Sequence, residues 1–171
     1  MDLQTVEFGK IASKVENNIT IKMTVDGVEQ KIRVDAIGFD EAGNIRIQEY
    51  TTAQNGLKIS RQNLLEDLSK YGGTIVGAGK GEFVGGVEIP KGTRIDVVSQ
   101  KTNNIVIDKH GNSFEVITLE NGETAYLSAD VFEGKQVPVR SLDFLKPDGT
   151  INWPPAGSDG FVLDEFGNPI T

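Results

Sequence analysis

Two acidic residues lie within a regular pair of predicted strands in the stretch from residue 32 to residue 51, IRVDAIGFDEAGNIRIQEYT. Apolar alternation on both sides of a Gly/Asn turn predicts two strands joined by a tight connection. Asp35 lies inside the first alternation, where a carboxylate is costly to bury unless another group pairs with it. Glu49 follows Ile45 and Ile47 at a spacing of two, and it therefore shares their face of the second strand.

The two acids are expected to lie close together, because the strands that carry them are neighbours. Magnesium is usually held by one or two carboxylates together with water and substrate phosphate. The sequence therefore predicts a site for Mg²⁺, or Mn²⁺ in its place, at Asp35 and Glu49.

Composition narrows the chemistry that the remaining residues can perform. The chain has 171 residues, a formal net charge of -8, no cysteine and a single histidine, His110, in a predicted turn. Disulfides, thiolate nucleophiles and cysteine zinc sites are excluded, and histidine-based triads are disfavoured. No apolar run approaches the roughly 20 residues that span a bilayer, so no membrane span is expected. The N-terminal residues lack the basic and then apolar pattern of a Sec signal.

The order of predicted elements indicates an α+β domain over residues 1–100. A short helix is predicted over residues 5–17, followed by strands at 19–25, 32–39 and 45–51. Ser60 is a suitable N-cap for a second helix that ends at Gly72, and further strands follow near residue 74 and at 95–98. Beyond this domain we predict a small β meander over 101–136 and an extended proline-, glycine- and aromatic-rich segment over 137–171.

A glycine-rich stretch at residues 77–86, GAGKGEFVGG, is typical of a flexible connector. It lacks the GxxxxGK[ST] spacing of a phosphate-binding loop, and no amphipathic helix follows it. Lys80 within it remains a candidate contact for a nucleic-acid backbone.

Residues 30–98 carry a more specific pattern: RVDAIGFDEAGNIRIQEY, a polar loop, a helix, KYGGTIVGAGKGEF and VEIPKGTRIDVV. This pattern resembles the PD-(D/E)XK, or restriction-endonuclease-like, nuclease domains found in the C-terminal regions of bacterial polymorphic toxins. The resemblance implies a core of helix, three-strand meander, helix and strand, with a small β-rich extension at the C-terminal side.

The same resemblance implies a metal-dependent nuclease site. The family's two acids fall on Asp35 and Glu49, and its lysine falls on Thr51, which carries no charge. Lys58 in the next loop is then the expected replacement as the catalytic cation, and Arg61 and Gln62 are expected to face nucleic acid together with Lys80. In this chemistry the metal polarises the phosphate and activates the attacking water.

A second resemblance begins near residue 142, in DFLKPDGTINWPPAGSDGFVLDEFGNPIT. This segment is similar to the opening of the tuberculosis-necrotizing-toxin (TNT) family of NAD glycohydrolases. The family's catalytic arginine and glutamine have no matching positions here, so the resemblance implies no NAD glycohydrolase activity for this chain alone. It implies export as part of a larger bacterial toxin that acts in the cytoplasm of a target cell.

Three interpretations follow from the sequence. The chain is a magnesium-dependent nuclease that cleaves nucleic acid through Asp35, Glu49 and Lys58. Alternatively, it is an inactive nuclease-fold module that presents a TNT domain or binds an immunity or delivery partner. In the third interpretation, it is an unrelated α+β protein in which Asp35 forms a salt bridge with Arg33 or Arg46.

Overall fold

The computed structural model describes residues 12–119, 122–132 and 134–152 of the chain. These residues form ten strands, one α-helix and one 3-10 helix. The elements are β1 (Ser13–Val25), β2 (Val28–Phe39), β3 (Ile45–Thr51), α1 (Ile59–Tyr71), β4 (Gly73–Ile75), β5 (Glu88–Ile89), β6 (Arg94–Ser99), β7 (Ile105–Ile107), β8 (Ser113–Thr118), β9 (Thr124–Phe132), β10 (Lys135–Val139) and a 3-10 helix at Leu142–Phe144. The chain divides into two compact units, of which the first extends to Thr102 and also includes Val106–Ser113.

The first unit is built on the hairpin of β1 and β2. Ile19, Ile21 and Met23 alternate along β1 and are buried, which is the period of a strand with one face in a core. The turn between the strands is Asp26-Gly27, and both residues have positive φ, at 52° and 78°. Positive φ at both turn residues is typical of a two-residue hairpin whose turn follows the twist of its strands, and β1 and β2 pair from Val25 and Val28 onward.

The sheet of the first unit has the strand order β7-β6-β3-β2-β1-β4-β5. The pairs β1–β2, β2–β3, β1–β4 and β4–β5 are antiparallel, whereas β3 and β6 run parallel, with Ile47 opposite Ile95. Parallel neighbours need a crossover connection, and here α1 lies in the segment between them. Leu65 and Leu68 of the helix are fully buried.

The ends of α1 agree only partly with the sequence prediction. Its N-cap is Lys58 rather than Ser60, and no side chain caps the first turn. Its C-cap is Gly72, as predicted, with φ of 74° and its backbone N–H bonded to the Leu68 carbonyl.

The predicted restriction-endonuclease-like α+β core is wrong. The described residues form a mixed sheet of ten strands with a single α-helix, whereas that core requires two helices. The predicted helix over 5–17 is replaced by strand over 13–17, and residues 5–11 of that prediction lie outside the described part. The strand is irregular here, because Lys14 and Asn18 have positive φ and the pairing with β2 shifts between Ser13 and Glu16.

The second unit contains residues 103–105 and the described residues from 114 onward. Its strands β8, β9 and β10 form an antiparallel meander. The buried Ser128 hydroxyl donates to the Val137 carbonyl across the β9–β10 pair at 2.7 Å. The segment 153–171, with most of the predicted TNT-like pattern, lies outside the described residues, and the domain boundaries at 100 and 136 stay predictions.

No helix among the described residues is long and apolar enough to cross a membrane.

Candidate functional site

Asp35 and Glu49 lie side by side on neighbouring strands of the first unit. Ala36 of β2 pairs with Gln48 of β3, so the two acids occupy the next position along the antiparallel ladder. The Asp35 backbone N–H donates to Glu49 Oε1 at 3.0 Å, and the Tyr50 backbone N–H donates to Asp35 Oδ2 at 2.9 Å. Each carboxylate therefore accepts a hydrogen bond from the opposite strand.

Arg61 provides the positive charge of this site. It stands in the first turn of α1, and its guanidinium donates to Glu49 Oε2 from Nε at 3.2 Å. Its Nη2 donates to Oε1 at 3.1 Å and to Oε2 at 3.0 Å. The same Nη2 also donates to the Arg33 backbone carbonyl. The guanidinium thus joins the start of the helix to both β2 and β3.

Burial of Glu49 determines the electrostatics of the Glu49–Arg61 ion pair. The Glu49 side chain is 3% exposed and the Arg61 side chain is 30% exposed. Burial raises the pKa of Glu49 above its ordinary value, and repulsion by the neighbouring Asp35 carboxylate raises it further. The charge and hydrogen bonds of Arg61 lower the Glu49 pKa without cancelling those two effects.

This arrangement does not fit the predicted Mg²⁺ site. Both Glu49 oxygens already accept from the Arg61 guanidinium, and one Asp35 oxygen accepts from the Tyr50 N–H. A magnesium ion would have to displace a cation that is hydrogen-bonded to both β2 and β3. Among the described residues, no group of three or more acidic, histidine or cysteine side chains is placed to hold a metal.

The other predicted site residues are distributed over several elements. Lys58 is exposed at the N-cap of α1, and among the described residues its side chain makes no ion pair. Gln62 lies one position beyond Arg61, and its backbone N–H donates to the Lys58 carbonyl. Lys80 is exposed in the glycine-rich loop, where its backbone bridges to Phe83. Thr51, where the sequence resemblance places a lysine, accepts a hydrogen bond from the Ala53 N–H.

The sequence did not reveal a second ionic cluster, formed by Arg46, Arg94 and Asp96. Arg46 donates to Asp96 Oδ2 at 2.8 Å, and Arg94 donates to Asp96 Oδ1 at 3.1 and 3.2 Å. Arg46 therefore pairs with Asp96 and not with Asp35. The two arginines face one another because β3 and β6 are paired in parallel, with Arg46 opposite Arg94. A parallel contact across fifty positions leaves no local signal in the sequence.

Comparison with protein-family models, characterised proteins and solved structures found no match to this chain.

Proposed function

We propose that this chain is a non-catalytic module of a bacterial toxin polypeptide, which supports or presents a neighbouring toxin domain. The observation that carries the proposal is the Arg61 guanidinium bonded to both oxygens of Glu49. The toxin context, with export in a larger polypeptide and action in a target-cell cytoplasm, rests on the sequence resemblance of residues 142–171.

A hydrolytic metal site needs carboxylate oxygens that are open to the ion, with water and substrate completing its coordination. Glu49 instead has an internal counter-ion, supplied by a helix that follows it in the sequence. Through this pair, Arg61 connects the start of α1 to Glu49 on β3 and to the Arg33 carbonyl on β2. The pair therefore supports a structural role for the two acids.

The nuclease interpretation also requires Lys58 as the cation beside Asp35 and Glu49. Arg61 is the cation on Glu49, whereas Lys58 lies exposed at the helix N-cap. Arg61 donates hydrogen bonds to the Glu49 carboxylate and to the Arg33 carbonyl, both of which are oxygens of the protein itself. Partners of the module are then expected to be protein, either the remainder of the toxin polypeptide or an immunity protein.

The test is a nuclease assay on plasmid, single-stranded DNA and RNA, each with Mg²⁺ or Mn²⁺. The parent chain is compared with an Asp35→Ala/Glu49→Ala double variant and with a Glu41→Ala/Glu115→Ala control, which removes two exposed acids. We expect no cleavage by any of the three proteins. Cleavage by the parent and the control, lost only in the Asp35→Ala/Glu49→Ala variant, would overturn the proposal and establish a nuclease.

A further inference from the structure

A groove of about 540 Å³ lies in the first unit, on the side where β3 and β6 begin. One wall is the turn that precedes β3, at residues 40–45, and the other is the turn that precedes β6, at residues 90–93. Its volume falls within the range of small-molecule sites, roughly 300–1,000 Å³. Three basic side chains line it, namely Arg46, Lys91 and Arg94.

The position of Arg46 is fixed by an ion pair inside the protein. Its Nε donates to Asp96 Oδ2, and only 20% of the Arg46 side chain and 14% of the Asp96 side chain are exposed. Asp96 is held in turn by Arg94 through its other oxygen. A guanidinium anchored through Nε loses little further freedom when it binds a ligand, which favours binding.

This anchoring uses only one of the five N–H donors of Arg46. Among the described residues, no acceptor is hydrogen-bonded to the two terminal nitrogens of Arg46, and neither of them is a buried atom without a partner. The terminal nitrogens of arginine form a planar fork that matches two oxygens of a phosphate. Arg46 is therefore positioned to bind a tetrahedral anion end-on.

Lys91 adds a second positive charge at the opposite wall. Its side chain is exposed, and it makes no ion pair with a described residue. The acid on the rim, Asp40, accepts the Asn44 backbone N–H through Oδ1 at 2.9 Å, within its own turn. Of the residues that line the groove, Arg46, Lys91 and Arg94 are basic and Asp40 is acidic.

We propose that this groove binds the phosphate group of a small phosphate ester. Arg46 holds two phosphate oxygens through its terminal nitrogens, and Lys91 adds a point charge from the other wall. The residues that line the groove do not include Asp35, Glu49 or Arg61.

The test uses inorganic pyrophosphate as the probe, at low ionic strength and without metal, with binding measured by calorimetry and by amide chemical shifts. The parent is compared with Arg46→Gln and with Arg140→Gln, the matched control. Arg140 also belongs to an arginine–carboxylate pair, with Glu123, on the second unit. Lys91→Gln and the exposed Lys101→Gln form a second matched pair, since neither lysine side chain is needed for packing.

We expect saturable binding by the parent, with shifts concentrated in residues 40–46 and 90–94. Arg46→Gln should weaken binding at least about tenfold, the value of a charged hydrogen bond, and Lys91→Gln about threefold. The two controls should change the affinity less than about twofold. The proposal is overturned if the parent shows no saturable binding, if the Arg46 and Lys91 variants bind as the parent does, or if the controls lose affinity equally.

Discussion

Arg61 donates three hydrogen bonds of 3.0–3.2 Å to the Glu49 carboxylate, which is almost fully buried, with only 3% of the Glu49 side chain exposed. The charges of Arg61 and Glu49 do not contribute equally to stability, because a second acid, Asp35, lies beside Glu49 and repels it. Removing the cation leaves two acids together without a counter-ion, whereas neutralising Glu49 relieves the repulsion. The pair should therefore respond asymmetrically to substitution.

Arg61→Gln should lower the free energy of unfolding at neutral pH by about 3 kcal/mol, because a buried charge without its partner is strongly destabilising. Glu49→Gln should lower it by less than about 1 kcal/mol, since glutamine keeps an oxygen for the Asp35 N–H. Urea unfolding of the two variants measures the difference. Arg140→Gln, at an exposed pair, is the control, with an expected change below about 1 kcal/mol. Equal losses for Arg61→Gln and Glu49→Gln would contradict the asymmetry.

The raised pKa of Glu49 predicts a pH dependence of stability. At pH values between the ordinary Glu49 pKa of 4.5 and its raised pKa in the folded state, the folded state holds a proton on Glu49 that the unfolded state has released. Stability from this group is complete below that range and is lost as pH rises through it. The unfolding free energy of the parent minus that of Glu49→Gln should therefore fall with rising pH across the range. A difference that stays constant or rises would show that the folded-state pKa of Glu49 is not raised.

Ser69 connects the end of α1 to two other segments of the first unit. Its hydroxyl is buried and lies 2.7 Å from the Thr93 carbonyl oxygen and 2.6 Å from the Asp108 carbonyl oxygen. Ser69→Ala leaves these buried acceptors without that donor and should cost about 1–2 kcal/mol in unfolding free energy. Ser60→Ala is the matched control, because Ser60 is exposed and does not cap the helix, and it should change stability by less than about 0.5 kcal/mol. A comparable loss for Ser60→Ala would indicate that it caps the helix after all.

Two glycines with similar φ separate backbone strain from steric contact. Gly27 has φ of 78° and open space where a Cβ would lie, whereas a Cβ at Gly72 would lie 2.4 Å from the Ile89 carbonyl oxygen. Gly27→Ala should cost about 1 kcal/mol through strain alone. Gly72→Ala should cost about 3 kcal/mol, because the helix end and β5 must also separate. Thermal unfolding of both variants tests this, and equal losses would mean that the contact at Gly72 relaxes freely.

Local parts of the fold could be predicted from the sequence because their determinants are close in the chain. The β1–β2 hairpin follows from alternation around Asp26-Gly27, and the proximity of Asp35 and Glu49 follows from the turn that joins their strands. The start of β1 could not be predicted. Its irregular backbone at Lys14 and Asn18 gives Ala12 and Val15 a spacing that also suits a helix, and both pack against Ala36.

The partners of Arg61 and Arg46 depend on contacts between residues that are far apart in the chain. The resemblance implied that Arg61 faces nucleic acid, whereas its guanidinium binds Glu49, because its partner depends on how α1 packs on the sheet. The Arg46–Asp96 pair depends on the parallel alignment of β3 and β6, which only the folded sheet specifies. From the sequence, Arg61 was expected to contact nucleic acid, and Arg46 was one of two candidate partners of Asp35; the structure pairs them with Glu49 and Asp96.

The most direct test of the central claim, that Arg61 is the resident cation of the two acids, is the melting temperature of the parent chain during a Mg²⁺ titration, beside Glu49→Gln. We expect Mg²⁺ to change both melting temperatures equally, because the Glu49 oxygens remain bonded to Arg61. A rise in the parent that is lost in Glu49→Gln would show that the metal displaces Arg61, and the acids would then be a metal site.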